Sequence, residues 1–128
     1  LAVQIEEHLS MICKELNLKI CTVYGGMDRF AQLLRMRSGC DVMIATPGRL
    51  LDFLNADKFT LDRVRYLTLD EADRILEVGY EEQILEIAKR LPKERQTTLF
   101  TATWEKKVQR VFSDYMNKDP EYVQVGDG

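Results

Sequence analysis

The stretch LTLDEADRIL, from Leu67 to Leu76, runs from a strand-like apolar segment into three carboxylates and back to apolar residues. The carboxylates are those of Asp70, Glu71 and Asp73. Like charges this close together repel one another, and burying any of them is costly unless a cation or hydrogen-bond donors compensate. The stretch therefore indicates the end of a buried strand, at a place where something positive is bound.

Strand-like and helix-like segments alternate along the chain around this stretch. Runs of β-branched and apolar residues predict strands, and apolar residues at helical spacing predict helices. Strands separated by helix-length crossovers predict an α/β fold in which helices cover the faces of a parallel sheet. The predicted helices are Leu1–Asn17, Asp28–Arg37, Gly48–Asn55, Glu81–Arg90 and Trp104–Met116, and the predicted strands are Lys19–Tyr24, Asp41–Ala45, Val64–Leu69, Gln96–Phe100 and Tyr122–Val125.

Four loops follow the predicted strands. In parallel sheets of this kind, ligands bind beyond the carboxyl ends of the strands, so we expect these loops to share one edge. They are Gly25-Gly26, Thr46-Pro47-Gly48-Arg49, Asp70 to Asp73, and Thr101-Ala102-Thr103. The Thr46-Pro47 pair is typical of a helix N-cap followed by a proline in the first turn.

Composition excludes several classes of protein. The chain has 128 residues, 45% of them apolar and 30% charged, which suits one globular domain. No apolar run approaches membrane-spanning length, so no membrane partner is expected. The formal charge of −3 argues against a broad basic surface, so any contact with nucleic acid must be local.

The cysteines and the histidine offer no catalytic or metal-binding pattern. Cys13, Cys21 and Cys40 lack C-x-x-C spacing and are interpreted as reduced packing residues of an intracellular protein. His8 is the one histidine, which excludes chemistry that depends on pairs of histidines.

The acidic turn can support magnesium chemistry. Mg²⁺ takes one or two carboxylates together with water and phosphate oxygens, and Asp70 at the tip of a strand is placed for that role. Glu71 can orient or deprotonate an attacking water, whereas Asp73 is better placed to hydrogen-bond a neighbouring loop. Alternatively, Asp70 caps the next helix and the other carboxylates favour its N-terminal dipole; capping and catalysis are compatible.

The Thr101-Ala102-Thr103 loop has two interpretations. Its hydroxyl groups can bond across to Asp73, because both loops follow strands at the same predicted edge. The other interpretation is an ordinary helix cap before Trp104, and this stretch taken alone slightly favours the cap.

Taken together, these motifs resemble those of DEAD-box ATP-dependent RNA helicases, over essentially the whole chain and in the family's order. Asp70 to Asp73 matches the name-giving motif, and TPGRLLDFL, Thr46 to Leu54, matches a motif that contacts the RNA backbone. Gly25-Gly26 matches the double-glycine motif. Thr101 to Thr103 matches the Ser-Ala-Thr motif, with threonine in place of serine.

The resemblance implies a fold and a domain. It implies a RecA-like parallel sheet with helices on both faces, incomplete at its N-terminal side. Residues 1–128 would form the C-terminal portion of the first RecA-like, or helicase ATP-binding, domain. LAVQI at the start resembles the tail of an upstream motif, and a second RecA-like domain would lie downstream.

The resemblance also implies a role for each motif, with ATP and Mg²⁺ as cofactors. Asp70 would hold Mg²⁺ through water and Glu71 would position or activate the hydrolytic water. Asp73, Thr101 and Thr103 would couple the nucleotide state to closure between two domains. The residues that would hold RNA phosphates, with little sequence specificity, are Gly25, Gly26, Thr46, Pro47, Gly48 and Arg49.

The chain contains no Gly-Lys dipeptide, so the phosphate-binding loop G-x-x-x-x-G-K-[ST] is absent from it. In the family this loop lies upstream. We therefore expect these residues alone to bind ATP weakly at best and not to hydrolyse it. A missing phosphate-loop strand would also leave sheet edges that self-association can cover.

Three functions remain open from the sequence. The first is ATP-driven unwinding or remodelling of RNA by the full-length protein, in the nucleus or cytoplasm. The second is a non-catalytic RNA-binding or scaffold module, which the intact carboxylates argue against. The third is a related DNA helicase or another phosphate-loop ATPase, against which TPGRL and Ala72 argue.

Overall fold

The structure is a computed structural model that describes residues 1–77, 79–115, 121 and 123–126. The chain divides into two compact units, Leu1–Phe59 and Thr60–Gly128. Each unit contains one two-stranded parallel sheet and the helices that follow its strands.

The first unit contains three helices and two strands in its described residues. Their order is α1 (Ala2–Glu15), β1 (Ile20–Val23), α2 (Arg29–Arg37), β2 (Val42–Ala45) and α3 (Pro47–Asn55). β1 and β2 are parallel, with Ile20 opposite Val42 and Val23 opposite Ala45. This register brings the loops that follow the two strands to the same end of the sheet.

The core of the first unit lies around β1 and α3. Val23 of β1 and Phe53 of α3 have no exposed surface. Leu50, Phe53 and Leu54 are the buried residues of α3, and their spacing puts them on one helical stripe. α1, in contrast, buries only Cys13.

The second unit follows the same alternation. It contains β3 (Tyr66–Leu69), α4 (Ala72–Glu77), α5 (Glu81–Lys89), β4 (Gln96–Leu99) and α6 (Lys106–Tyr115). β3 and β4 are parallel, with Leu69 opposite Leu99. The core cluster consists of Leu76, Ile84, Val108, Val111 and Tyr115, and half-buried Leu67, Leu69 and Leu99 pack against it.

The predicted alternation of strands and helices is confirmed, with three differences. First, β3 alternates between exposed and half-buried residues, so only one of its faces is packed and the strand is less buried than predicted. Second, the six-residue α4 was not predicted as an element of its own. Third, residues 123–125 carry no strand, whereas Tyr122 of that predicted strand lies outside the described residues.

None of the helices in the described ranges combines the length and the apolar character needed to cross a bilayer.

Candidate functional site

The acidic turn and the Thr101–Thr103 loop leave the same end of the second unit's sheet. Beyond the ends of β3 and β4, the amide of Phe100 donates to the carbonyl of Leu69 at 2.8 Å. The amide of Ala72 then donates to the carbonyl of Phe100 at 3.0 Å. These two bonds continue the pairing of the chains past the strands. Asp70 and Thr101 therefore lie at one edge, as the sequence predicts for this pair of loops.

The Asp70 carboxylate holds the turn through one oxygen and leaves the other available. Its Oδ1 accepts a hydrogen bond from the amide of Glu71 at 2.9 Å, and the side chain is half-buried. Its other oxygen accepts no hydrogen bond from the residues that the structure describes. This contact is not a helix cap, because the amide of Glu71 precedes α4, so the alternative interpretation of Asp70 as a cap is wrong. One oxygen orders the turn, and the other can accept a bond from a metal-bound water.

Glu71 adopts a strained backbone conformation, with φ of 49°. A left-handed conformation costs a residue with a Cβ about 1–2 kcal/mol. The conformation is held because the Glu71 carbonyl accepts bonds from the amides of Arg74 and Ile75, at 3.0 and 3.1 Å, as α4 begins. Strain of this kind is concentrated at functional sites, where it sets the direction of a side chain.

The Glu71 carboxylate has one cationic neighbour. Its Oε2 lies 3.5 Å from Nη1 of Arg74, and 41% of the Glu71 side chain and 77% of the Arg74 side chain are exposed. Such an exposed pair contributes little to stability. The carboxylate therefore remains accessible to a water molecule.

The hydroxyl of Thr103 links the two loops. Its Oγ1 donates to Oδ2 of Asp73 at 3.2 Å, across thirty residues of sequence. This contact confirms the interpretation that the threonine loop bonds across to Asp73. Thr101 does not take part directly, because its Oγ1 donates to the carbonyl of Thr103 at 2.9 Å and so fixes the shape of the loop.

The alternative interpretation of this loop, an ordinary helix cap, is wrong. α6 begins at Lys106 and not at Trp104. The hydroxyl groups of Thr101 and Thr103 therefore lie too far upstream to cap its first turn, and both bond elsewhere.

The double-glycine loop of the first unit is open to ligands. Gly25 and Gly26 are exposed, and no atom lies within 4 Å of a Cβ built on either residue. Gly26 has φ of 84°, which side-chain-bearing residues rarely adopt. Within the described ranges, neither glycine amide donates a backbone hydrogen bond. The loop therefore presents amides that an anion can approach closely.

The start of α3 lies beside this glycine loop. The amide of Thr46 donates to the carbonyl of Val23 at 2.9 Å, two residues before Gly25. Thr46 is the N-cap and Pro47 lies in the first turn, as predicted, but the Thr46 side chain makes no capping bond. The first-turn amides, including that of exposed Gly48, have no acceptor within the helix, and the helix dipole favours an anion there.

Arg49 links the start of α3 to the glycine loop of the first unit. Its Nη1 donates to the carbonyl of Met27 at 3.0 Å and to Oε1 of Gln32 at 3.2 Å. Its guanidinium group also lies over the Phe53 ring, 5.8 Å from the centroid. Sequence reasoning missed Gln32, whose one available signal was a polar side chain within an otherwise apolar helical pattern.

A multi-carboxylate metal centre is not part of the site. No group of three or more His, Cys, Asp or Glu side chains in the described part of the chain converges on one point. The available oxygen of Asp70 fits the chemistry of Mg²⁺, which takes one or two carboxylates and completes its shell with water and phosphate oxygens.

In each unit, parallel strands alternate with helices, and loops with donors or carboxylates follow the carboxyl ends of the strands; this pattern defines the α/β class of proteins. The model of the DEAD/DEAH box helicase family matches residues 1–111. The chain belongs to this family.

Relatives and solved structures agree with this assignment. The ATP-dependent RNA helicase DBP2 of Candida glabrata is 47% identical over 126 residues, which are 98% of this chain and 23% of that protein. The ATP-dependent RNA helicase dbp2 of Schizosaccharomyces pombe is 46% identical over 125 residues, 98% of this chain and 22% of that protein. The chain thus spans about a quarter of the length of the curated relatives it matches.

Two crystal structures show the same fold. The yeast DEAD-box splicing factor Prp28 has a TM-score of 0.85 and 29% identity, and the match covers 91% of this chain and 28% of that chain. A hypothetical ATP-dependent RNA helicase from Sulfolobus tokodaii has a TM-score of 0.84 and 33% identity, covering 91% and 35%. The predicted RecA-like α/β fold is confirmed.

Proposed function

We propose that this chain is the C-terminal portion of the first RecA-like domain of an ATP-dependent RNA helicase. The full-length protein would unwind or remodel RNA inside the cell, in the nucleus or cytoplasm. The observation that carries the proposal is the hydrogen bond between Thr103 and Asp73, which joins the acidic turn to the threonine loop at the edge where ligands bind in such sheets.

In this proposal the acidic turn serves ATP hydrolysis. Asp70 would hold Mg²⁺ through water, and the metal when bound would supply charge stabilisation for phosphoryl transfer. Glu71 orients or deprotonates the attacking water, because its carboxylate is accessible and its backbone direction is fixed by α4.

The threonine loop couples nucleotide state to movement. Asp73 and Thr103 share a hydrogen bond, and Thr101 holds the loop in the shape that makes this bond possible. A shift of the acidic turn on ATP binding or hydrolysis therefore moves the threonine loop with it. The partner that reads this movement is the second RecA-like domain of the parent protein.

RNA is held by the loops of the first unit. The amides of Gly25, Gly26 and Gly48, the hydroxyl of Thr46 and the guanidinium group of Arg49 are donors suited to phosphate oxygens, and Pro47 fixes the first turn of α3. Donors of this kind hold the RNA backbone without reading bases, so we expect little sequence specificity.

The proposal is tested by assaying the full-length protein for ATP hydrolysis with RNA and with single-stranded DNA of matched length. We expect stimulation by RNA, and a loss of about 10²–10⁴-fold in the Glu71→Gln variant. Comparable stimulation by DNA would favour a DNA helicase. Absence of hydrolysis with either polymer, combined with intact RNA binding, would favour a non-catalytic RNA-binding or scaffold module.

We also infer that the isolated 128-residue chain self-associates. In the described residues, each strand pairs with one neighbour and so leaves one edge unpaired. Sedimentation velocity across a range of concentrations tests this inference. A monomer that is stable at every concentration would contradict it.

A further inference from the structure

Gln32 is a buried polar residue in the first unit, with 5% of its surface exposed. It lies near the start of α2, where its backbone amide donates to the carbonyl of the N-cap residue Asp28 at 3.2 Å. A buried side-chain amide is costly unless its donor and acceptor groups are both satisfied. The contacts of Gln32 therefore need a physical explanation.

Both ends of the Gln32 amide are used. Its Nε2 donates to the carbonyl of Tyr24 at 2.9 Å, and its Oε1 accepts from Nη1 of Arg49 at 3.2 Å. The reverse orientation would place an NH₂ group against a guanidinium donor and an oxygen against a carbonyl oxygen. Only one orientation satisfies both partners, so Gln32 is held in a single arrangement.

The two side-chain hydrogen bonds of Gln32 reach the glycine loop and the start of α3, which are the two segments proposed to hold RNA. Tyr24 immediately precedes Gly25-Gly26, and Arg49 ends the TPGR motif. The same Nη1 of Arg49 also donates to the carbonyl of Met27, directly after the glycines. Gln32 and Arg49 together therefore tie both ends of the glycine loop to the start of α3.

The rest of the Arg49 guanidinium group remains available. Nη1 donates both of its hydrogen bonds, to Met27 and Gln32, whereas Nε and Nη2 donate to no residue in the described ranges. Nε and Nη2 form the edge with which arginine binds a phosphate bidentately. An arginine fixed through one nitrogen and open at the opposite edge is pre-organised for an anion.

We infer that Gln32 is a positioning residue for the RNA-phosphate surface, acting through Arg49 and the glycine loop. This inference rests on the proposed function, and it adds a residue that does not itself contact RNA. The ligand class is a single-stranded RNA backbone. Arg49 is then already ordered in the free protein, so less conformational entropy is lost when it binds a phosphate and the affinity is higher.

The test uses the full-length protein with Gln32→Met, Arg49→Gln and the double variant. RNA affinity is measured against salt with an unstructured oligonucleotide. We expect Arg49→Gln to reduce the magnitude of the log Kd–log salt slope by about 0.7, the value for one phosphate contact to a single strand. We expect Gln32→Met to reduce the slope towards the same value and to weaken binding about 10-fold.

A double-mutant cycle separates positioning from mere stabilisation. If Gln32 acts through Arg49, the double variant matches Arg49→Gln, and the RNA concentration for half-maximal ATPase rises more than the maximal rate falls. Gln4→Met, at an exposed position of α1, is the matched control and should leave RNA affinity unchanged. Additive losses in the double variant, or an unchanged salt slope in Gln32→Met, would overturn the inference.

Gln32→Glu provides a second variant in case Gln32→Met fails to fold. Glutamate keeps the acceptor that faces Arg49 and loses the donor that faces Tyr24, so it should weaken RNA binding by less than Arg49→Gln does. Binding as weak as that of Arg49→Gln would overturn the inference. Absence of RNA binding by the unaltered protein would overturn the proposed function as well, whereas the other failures leave the proposed function standing.

Discussion

The hydroxyl group of Tyr115 is buried and has no hydrogen-bonding partner among the residues that the structure describes. Only 2% of the residue is exposed, in the core cluster of the second unit. A buried polar group without a partner costs about 1–3 kcal/mol in lost hydration. We therefore expect Tyr115→Phe to raise the free energy of unfolding by about 1 kcal/mol, measured by urea denaturation.

The same hydroxyl adds a dependence on pH. Burial raises the pKa of Tyr115 above its ordinary value. The unfolded state therefore ionises first, and the protein loses stability as pH rises from about 10 through the folded-state pKa. Tyr115→Phe should remove this part of the alkaline loss. Tyr66→Phe, at a residue that is 74% exposed, is the control. Equal effects of the two substitutions would contradict the assignment.

Cys40 combines an exposed position with an unreactive thiol. The Cys40 thiol donates to the carbonyl of Val42 at 3.4 Å. Burial of the thiol itself, followed by the neighbouring buried Cys21 thiol, raises the pKa of Cys40 to about 12. Since the thiolate is the nucleophile, we expect iodoacetamide at pH 8 to label Cys40 at least about tenfold more slowly than a free cysteine. Mass spectrometry of the Cys40 peptide measures the rate.

The control for Cys40 is the removal of its partner. Cys21→Ala removes the neighbouring thiol that helps to raise the Cys40 pKa, so labelling of Cys40 should accelerate. If Cys40 in the unaltered protein reacts as fast as a model thiol, the proposed environment of the thiol is wrong.

At the scale of elements, α3 ends in a motif that usually requires glycine. Asp57 has φ of 54°. The amide of Lys58 donates to the carbonyl of Phe53 at 3.0 Å, and the amide of Asp57 donates to the carbonyl of Leu54 at 3.1 Å. This is the Schellman pattern, in which a left-handed residue follows the helix. We expect Asp57→Gly to stabilise the protein by about 0.5–1 kcal/mol, measured by thermal or urea unfolding.

Asp57→Ala is the control for this helix end. Alanine keeps the Cβ that makes the left-handed conformation costly and removes the carboxylate, so it should not stabilise the protein. An alanine variant as stable as the glycine variant would show that charge, and not backbone conformation, limits this helix end.

Elements with strong local signals could be predicted closely from the sequence. α3 was predicted within one residue, because Thr46-Pro47 marks its start and apolar residues at helical spacing mark its buried face. α4 was not predicted because it is only six residues long. It also begins directly after Glu71, and the sequence contains no signal for the strained conformation of that residue. Short elements depend on contacts made after the chain folds, and local periodicity does not contain them.

The candidate site, too, could be predicted from the sequence only in part. The parallel pairing of the strands predicts which loops form the site. It does not predict which hydroxyl reaches Asp73, because that depends on the hydrogen bond from Thr101 to the carbonyl of Thr103. Gln32 joins Tyr24 and Arg49, which lie eight and seventeen residues away from it in sequence. No pattern within a single helix predicts such a pair of partners, since they are brought together by the register of β1 and β2.

At the scale of the molecule, the proposed chemistry is divided between the two units. The first unit carries the donors suited to RNA phosphates, and the second carries the carboxylates suited to Mg²⁺ and water activation. The net charge of −3 gives RNA no long-range attraction. Affinity must therefore come from local donors, which is why the arrangement around Arg49 matters so much.

The final prediction concerns ATP hydrolysis by the 128 residues alone. They contain no Gly-Lys dipeptide, hence no phosphate-binding loop, so Asp70 and Glu71 have no lysine or loop beside them to hold the β- and γ-phosphates. A carboxylate cannot bind Mg²⁺–ATP productively without such a grip, because most of the transition-state stabilisation comes from phosphate positioning. We expect phosphate release no faster than that of the matched Glu71→Gln chain, with isothermal titration detecting weak ATP binding at most. Saturable hydrolysis that the Glu71→Gln substitution abolishes would show that these residues hold the triphosphate by a different route.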